Sequence, residues 1–134
     1  KGKIIKKGGR IAILSLGSII NNALLADKIL QEKHNINITI ADAIFAKPFD
    51  QELLLDLAAS HDVLITIEEG VIGGFGSTIA DFLLKNDILF KNKLKFYPLH
   101  MADKFIEQKS VEKMQEESGI GVSSIVDLVT NSMT

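Results

Sequence analysis

The chain has 134 residues, no cysteine and a net charge of −2, with 46% hydrophobic and 24% charged residues. The length suits one domain with a real core, so we expect residues 1–134 to form a single domain. The lack of cysteine excludes disulfides, zinc–thiolate sites and cysteine nucleophiles. The charge is mixed rather than gathered in a basic stripe, and no apolar run reaches the roughly 18 residues of a membrane-spanning helix. We therefore expect neither nucleic acid nor a membrane as a partner.

The first half of the chain predicts three strands and one helix. Residues 2–9 have the pattern of a short edge strand or arm that ends at a Gly-Gly turn. The continuous apolar run Ile11–Leu16 predicts a strand covered on both faces. A helix with Ser18 as N-cap should follow and run to about Lys33. The β-branched segment Ile36–Ala41 predicts the next strand.

The second half continues the alternation. A loop at residues 46–50 precedes a helix that Asp50 can cap, and Pro48 disfavours helix at the residue before it. The remaining elements are two strands and three helices, which we place at Val63–Ile67, Gly76–Asn86, Leu94–Leu99, Val111–Ser118 and Gly121–Ser132. Alternating strands and helices predict a three-layer α/β/α fold with a mainly parallel sheet, of about five strands if the N-terminal arm joins it.

A glycine-rich turn follows the third apolar strand. It contains Gly73, Gly74 and Gly76 and opens a helix, an order that either binds an anion at the helix N-terminus or makes a tight crossover. The turn lacks the Lys-Ser/Thr of a Walker loop and the position of a dinucleotide fingerprint. We favour the structural interpretation, in which small residues allow close helix–sheet packing and positive φ. Gly17-Ser18 is a second potential anion site, for which helix capping is again the favoured interpretation.

Two adjacent carboxylates, Glu68 and Glu69, end the same strand. Neighbours on a strand point to opposite faces, so they are poorly placed to act as a paired acid and base. Ligands usually bind at the carboxyl ends of parallel strands, which keeps a functional role for one of them open. We favour a structural or interface role, such as holding a neighbouring loop or a partner chain.

Three further features have a structural and a functional interpretation. Phe49 lies beside Lys47 and Pro48, and it either staples the helix that Asp50 caps or forms an exposed docking point. A small basic patch near the N-terminus is interpreted as a solvated edge that discourages strand pairing. The patch consists of Lys3, Lys6, Lys7 and Arg10. The histidines show no metal-ligand spacing, and His34 and His61 are expected near helix-end carbonyls or solvent.

Taken in order, segments 2–14, 46–50, 67–70, 73–77 and 103–108 resemble the C-terminal domain of the 1-deoxy-D-xylulose-5-phosphate synthases. The match extends over nearly the whole chain. One departure is the sequence of residues 100–103, His-Met-Ala-Asp, where the family commonly has a turn like Gly-Leu-Pro-Asp. Related C-terminal domains occur in transketolases and in the β subunits of 2-oxo acid dehydrogenases, which remain the alternative families.

The resemblance implies a larger parent enzyme that depends on thiamine diphosphate. Such enzymes condense pyruvate with glyceraldehyde 3-phosphate, release carbon dioxide and supply isoprenoid synthesis by the non-mevalonate route. The family holds its cofactor and Mg²⁺ on an N-terminal domain with a Gly-Asp-Gly motif, and a central domain supplies the activating glutamate. The resemblance further implies a homodimer in the bacterial cytoplasm, with the N-terminal and central domains as partners of this one.

This chain contains no Gly-Asp-Gly motif. We therefore carry over no catalytic, cofactor-binding or metal-binding residue, and we expect a C-terminal piece that binds no cofactor and is inactive alone. The positions left as structural or interface candidates are Lys47, Pro48, Asp50, Glu68, Glu69, Gly73, Gly74 and Gly76. An independent module that binds anions or other small ligands is the alternative from a different class.

Overall fold

The computed structural model describes residues 1–69, 74–100 and 121–133. Strands and helices alternate along this part of the chain, as the sequence predicted. The elements are β1 (Lys3–Lys6), β2 (Ile11–Leu16), α1 (Ile20–His34), β3 (Thr39–Asp42), α2 (Gln51–Ser60), β4 (Val63–Glu68), α3 (Phe75–Lys85), α4 (Ile88–Asn92), β5 (Lys95–His100) and α5 (Val122–Ser132). The helix predicted at Val111–Ser118 lies outside the described residues.

The strands form one five-stranded sheet in the order β1-β3-β2-β4-β5. The N-terminal strand β1 pairs with β3 in antiparallel orientation, and the other three pairs are parallel. The mainly parallel sheet is therefore confirmed, and the arm at its edge is the antiparallel member. The chain order reverses between β2 and β4, so the carboxyl ends of these two strands flank the crevice where ligands of such sheets usually bind.

Helices cover both faces of the sheet. On one face α1 and α5 pack on Ile13 of β2 and Ile65 of β4, and on the other α2, α3 and α4 pack on Leu14 and Leu64. All four of these side chains are buried, because both faces of the central strands are covered. This arrangement confirms the predicted three-layer fold.

The main differences from the prediction are one strand boundary and one additional helix. The strand expected at Ile36–Ala41 begins only at Thr39, because Asn35 is left-handed at the end of α1 and the amide of Ile36 donates to the carbonyl of Leu30. These residues thus complete the helix C-terminus rather than the sheet. The short helix α4 was not predicted. Left-handed residues, Asp87 and Lys93, flank it on both sides, and neither is a glycine that would have marked a turn.

The predicted basic patch is only partly a solvated edge. Lys6 donates to the carbonyl of Ile38 at 2.8 Å and forms an ion pair with the buried Asp27 of α1 at 3.0 Å. Arg10 pairs with Asp62 on the surface. The expectation was wrong for Lys6, because an amphipathic side chain at a sheet edge can lay its stem over the core and reach a partner on the covering helix.

A hydrogen-bond chain joins the first turn to the C-terminal end of α2. The amide of Gly8 donates to Oγ1 of Thr39 at 2.9 Å, and this hydroxyl lies 2.7 Å from Nε2 of His61. Nδ1 of His61 is 2.9 Å from the carbonyl of Leu57, near the end of α2. The prediction that His61 contacts a helix-end carbonyl is confirmed. The tautomer that satisfies all three contacts has Nδ1 donating and Nε2 accepting.

Candidate functional site

The carboxylate of Glu68 occupies the N-terminus of α3. Its Oε1 accepts from the amide of Phe75 at 2.8 Å, and its Oε2 accepts from the amide of Gly76. Glu68 is only 5% exposed, so this carboxylate lies inside the domain between β4 and α3. An acid at this position satisfies two amides that have no partner within the helix and complements the helix dipole. The protein's own side chain thus fills the place where an external anion would bind.

The glycines of the turn bring α3 close to the sheet. A Cβ atom at Gly76 would lie 3.0 Å from Cβ of Pro98 and 3.1 Å from Oε2 of Glu68. Gly74 is the N-cap residue, and its carbonyl accepts from the amide of Thr78 at 3.1 Å. Close packing at Gly76 is therefore confirmed. Positive φ is not found at Gly74 or Gly76, and Gly73 lies outside the described residues.

The second potential anion site, at Gly17-Ser18, is also closed by internal bonds. The amides of Ile20 and Asn21 donate to the carbonyls of Gly17 and Ser18, in a tight turn that leads into α1. Gly17 has a φ of 91°, which this turn requires. The prediction of Ser18 as N-cap was wrong: Ile19 holds that position and makes no side-chain cap bond.

Ser18 instead connects the two loops at the reversal point of the sheet. Its hydroxyl donates to Oε1 of Glu69 at 2.6 Å, so the loop after β2 is bonded to the loop after β4. Glu69 is exposed, whereas its neighbour Glu68 is buried under α3. The two carboxylates point in different directions, as strand geometry predicted, and they form no acid–base pair.

The loop at residues 46–50 is held by Asp50. Its Oδ1 accepts from the amide of Leu53 at 3.1 Å, which confirms the predicted cap of α2, and its Oδ2 accepts from the amide of Gly2 at 3.2 Å. Lys47 and Pro48, joined by a cis peptide bond, are both exposed. Asp50 thus anchors both α2 and the start of the chain.

Phe49 is half-buried against the core. Its ring meets that of Phe82 on α3 edge to face, with centroids 5.3 Å apart, and it packs on the same apolar cluster as Leu54 of α2. Position 54 is where a hydrophobic staple of this helix would make its contact. The geometry favours the staple over an exposed docking role for Phe49.

Replacing Phe49 by alanine should lower the free energy of unfolding by about 2 kcal/mol, because a half-buried ring loses less than a fully buried one. Urea denaturation of the 134-residue chain measures this. The matched control is Phe90→Ala, since Phe90 is 82% exposed and should change stability by less than about 0.5 kcal/mol. A Phe49→Ala variant with unchanged stability that fails to assemble would favour docking.

The described residues contain no group of three or more His, Asp or Glu side chains placed to hold a metal ion. In the same part of the chain, no helix has the length and apolarity to cross a membrane.

The sequence reasoning missed one surface, at Ile44 and Phe45, which are 42% and 57% exposed in the loop after β3. Two large apolar residues directly beyond a strand were the signal that could have identified it.

The family model described as "Transketolase, C-terminal domain" matches residues 1–125. The chain belongs to the transketolase C-terminal domain family. It is 42% identical over 131 residues to 1-deoxy-D-xylulose-5-phosphate synthase 1, chloroplastic, of Oryza sativa subsp. japonica. It is 40% identical over 131 residues to a chloroplastic protein of Capsicum annuum that is named a probable 1-deoxy-D-xylulose-5-phosphate synthase. Each match covers 98% of this chain and 18% of the relative.

Solved structures of transketolases share the fold of this family member. A split-gene transketolase, described as an inactive β4 tetramer, has a TM-score of 0.77 and 28% identity. The likeness covers 98% of this chain and 40% of that one. The transketolase of Campylobacter jejuni has a TM-score of 0.57 at 18% identity, covers 97% of this chain and 18% of its own, and shows the fold alone. The resemblance to C-terminal domains of synthases and transketolases is confirmed.

Proposed function

We propose that this chain is the C-terminal supporting domain of a 1-deoxy-D-xylulose-5-phosphate synthase. The parent would be a thiamine diphosphate- and Mg²⁺-dependent homodimer that condenses pyruvate with glyceraldehyde 3-phosphate. The domain would stabilise the catalytic domains and extend the dimer contact without supplying a catalytic group. We place it in the bacterial cytoplasm, with a plastid as the alternative because both plant relatives are named chloroplastic.

The observation that carries this proposal is the end-to-end similarity to the two plant synthases, although the chain spans only 18% of their length. Four-fifths of each relative thus lies outside the matched segment, which leaves room there for the cofactor-binding and catalytic residues. The identity to these synthases, 40–42%, exceeds the 28% to the split-gene transketolase, which favours a synthase parent over a transketolase.

The geometry of the sheet's carboxyl edge supports a role without chemistry. Two carboxylates at that edge, Glu68 and Asp50, accept from backbone amides of α3 and α2. A carboxylate held in this way is a helix cap, and its lone pairs are directed at the helix rather than at a substrate. The capped N-terminus of α3 likewise disfavours the alternative of an independent anion-binding module at the glycine-rich turn.

The test compares the parent polypeptide with the 134-residue chain in a carbon dioxide release assay. The parent should release carbon dioxide from pyruvate when glyceraldehyde 3-phosphate, thiamine diphosphate and Mg²⁺ are present. The 134-residue chain, shown to be folded by circular dichroism, should give no turnover. Turnover by the short chain, or a parent that is inactive with these substrates, would contradict the proposal.

A substitution of Glu69 in the parent polypeptide distinguishes a supporting role of this residue from a catalytic one. We expect Glu69→Gln to weaken the bond to Ser18 and to change activity or dimer stability less than about tenfold, because the pair is exposed. Steady-state kinetics and sedimentation of the variant measure both. A loss of many orders of magnitude in kcat, with the dimer intact, would identify Glu69 as a catalytic acid.

A further inference from the structure

An apolar patch lies at the carboxyl edge of the sheet, beside β3. We call Ile44, Phe45 and Pro48 the edge patch; all three side chains are exposed. A cavity of about 510 Å³ opens next to it, between the loop and the start of the chain. Phe45 and Pro48 line this cavity together with Lys47 and Phe49. The lining is mostly apolar, which suits an apolar side chain from another surface.

The backbone holds the patch outward at a conformational cost. Ile44 has a φ of 67°, a left-handed conformation that a β-branched residue rarely adopts. The amide of Ile44 donates to Oδ1 of Asp42 at 2.9 Å, and the amide of Phe45 donates to the carbonyl of Ala43 at 2.7 Å. These bonds hold the loop backbone in the conformation that leaves both apolar side chains exposed. Backbone strain of this kind clusters at functional sites, and here it accompanies two exposed apolar side chains.

The chain enters the domain at the same place. Lys1 lines the cavity, and the amide of Gly2 donates to Oδ2 of Asp50 at 3.2 Å. Any polypeptide joined to the amino side of Lys1 would therefore leave the domain beside the edge patch. In the synthase relatives, 82% of the length lies outside the matched segment, and the family model is that of a C-terminal domain.

We propose that the edge patch is the docking surface for the domain that precedes this one in the same polypeptide, which inserts an apolar side chain into the cavity beside Phe45. This inference rests on the proposed function, and it identifies the surface through which this domain would stabilise its neighbour.

A second copy of the chain is a poorer occupant for this patch. Stable association of separate proteins buries on the order of 1,200–2,000 Å² in total, which a patch of three side chains does not provide. A neighbour attached through Lys1 is held at high local concentration, so a small apolar contact is enough. The position of the chain entry thus favours the tethered domain.

The first measurement is hydrogen exchange of residues 43–49 in the parent polypeptide and in the 134-residue chain. We expect exchange to be about tenfold or more slower in the parent, because burial of an aromatic anchor suppresses local opening. The control is residues 88–92 of α4, whose Phe90 is even more exposed than Phe45 and should exchange alike in both proteins. Equal exchange at residues 43–49 in the two proteins would overturn the proposal.

The second measurement uses Phe45→Asp and the matched variant Phe90→Asp in the parent. Phe45→Asp should separate the unfolding of the domain from that of the remainder, giving two calorimetric transitions instead of one, and Phe90→Asp should leave one.

If Phe45→Asp leaves one transition while removal of residues 1–134 destabilises the remainder, the docking surface is wrong and the supporting role stands. If removal of the domain changes neither stability nor activity, the proposed function fails as well. A change of subunit number in Phe45→Asp, with one transition retained, would assign the patch to a second copy and overturn the proposal.

Discussion

Replacing Glu68 by alanine should lower the free energy of unfolding by about 3 kcal/mol. The substitution removes the acceptor of two amides at the start of α3, and each buried donor left without a partner costs about 1–3 kcal/mol. For a domain of this size the midpoint of thermal unfolding should fall by about 10 °C. Such a loss is a large fraction of the stability of a typical domain.

The matched control for Glu68 is its neighbour. Glu69→Ala removes the same carboxylate one residue on, but from an exposed side chain, and should cost less than about 1 kcal/mol. Glu68→Gln keeps the shape and one acceptor while turning an amide group toward a backbone donor, so its cost should lie between the two. Urea denaturation of the 134-residue chain measures all three. Equal effects of Glu68→Ala and Glu69→Ala would show that Glu68 does not cap α3.

The second large effect is expected at Gly8, in the turn between β1 and β2. A Cβ atom there would lie well within 3.0 Å of three backbone atoms of Ile38, and backbone cannot move aside as the end of a side chain can. Gly8→Ala should therefore displace β1 from the sheet edge and cost about 3 kcal/mol. The displacement would also break the bond from the amide of Gly8 to Thr39.

Gly9 provides the control within the same turn. Its Cβ would meet only the carbonyl oxygen of Asn37, at 3.3 Å, so Gly9→Ala should cost less than about 1 kcal/mol. Thermal unfolding of both variants distinguishes steric exclusion at one glycine from a general need for flexibility in the turn. Similar losses for the two variants would contradict the close approach of Gly8 to Ile38.

The layers of the fold could be predicted because the signals are local. Continuous apolar runs such as Ile11–Leu16 mark strands covered on both faces, and the alternation with helices dictates a mainly parallel sheet. The cap at Asp50 was equally readable, because the acceptor and the amide of Leu53 are three residues apart. Packing of Gly76 against the sheet followed from the general preference for small residues in a strand-to-helix turn.

What could not be predicted depends on contacts between distant residues. Ser18 resembles an N-cap in sequence, but its hydroxyl is taken by Glu69, 51 residues away. Lys6 resembles a solvated edge residue in sequence. It forms an ion pair with Asp27 of α1, which comes close to Lys6 only when the chain is folded. The same limit applies to Glu68, since the strand-end position was visible and the capping of α3 was not. No sequence pattern marks an isoleucine such as Ile44 for a left-handed conformation.

Calorimetric titration with thiamine diphosphate and Mg²⁺ determines which part of the parent polypeptide binds the cofactor. Two proteins are titrated: the 134-residue chain, with its fold verified by circular dichroism, and the parent polypeptide as the positive control. We expect saturable, Mg²⁺-dependent heat for the parent and none for the 134-residue chain. Tight, Mg²⁺-dependent binding to the short chain would contradict it.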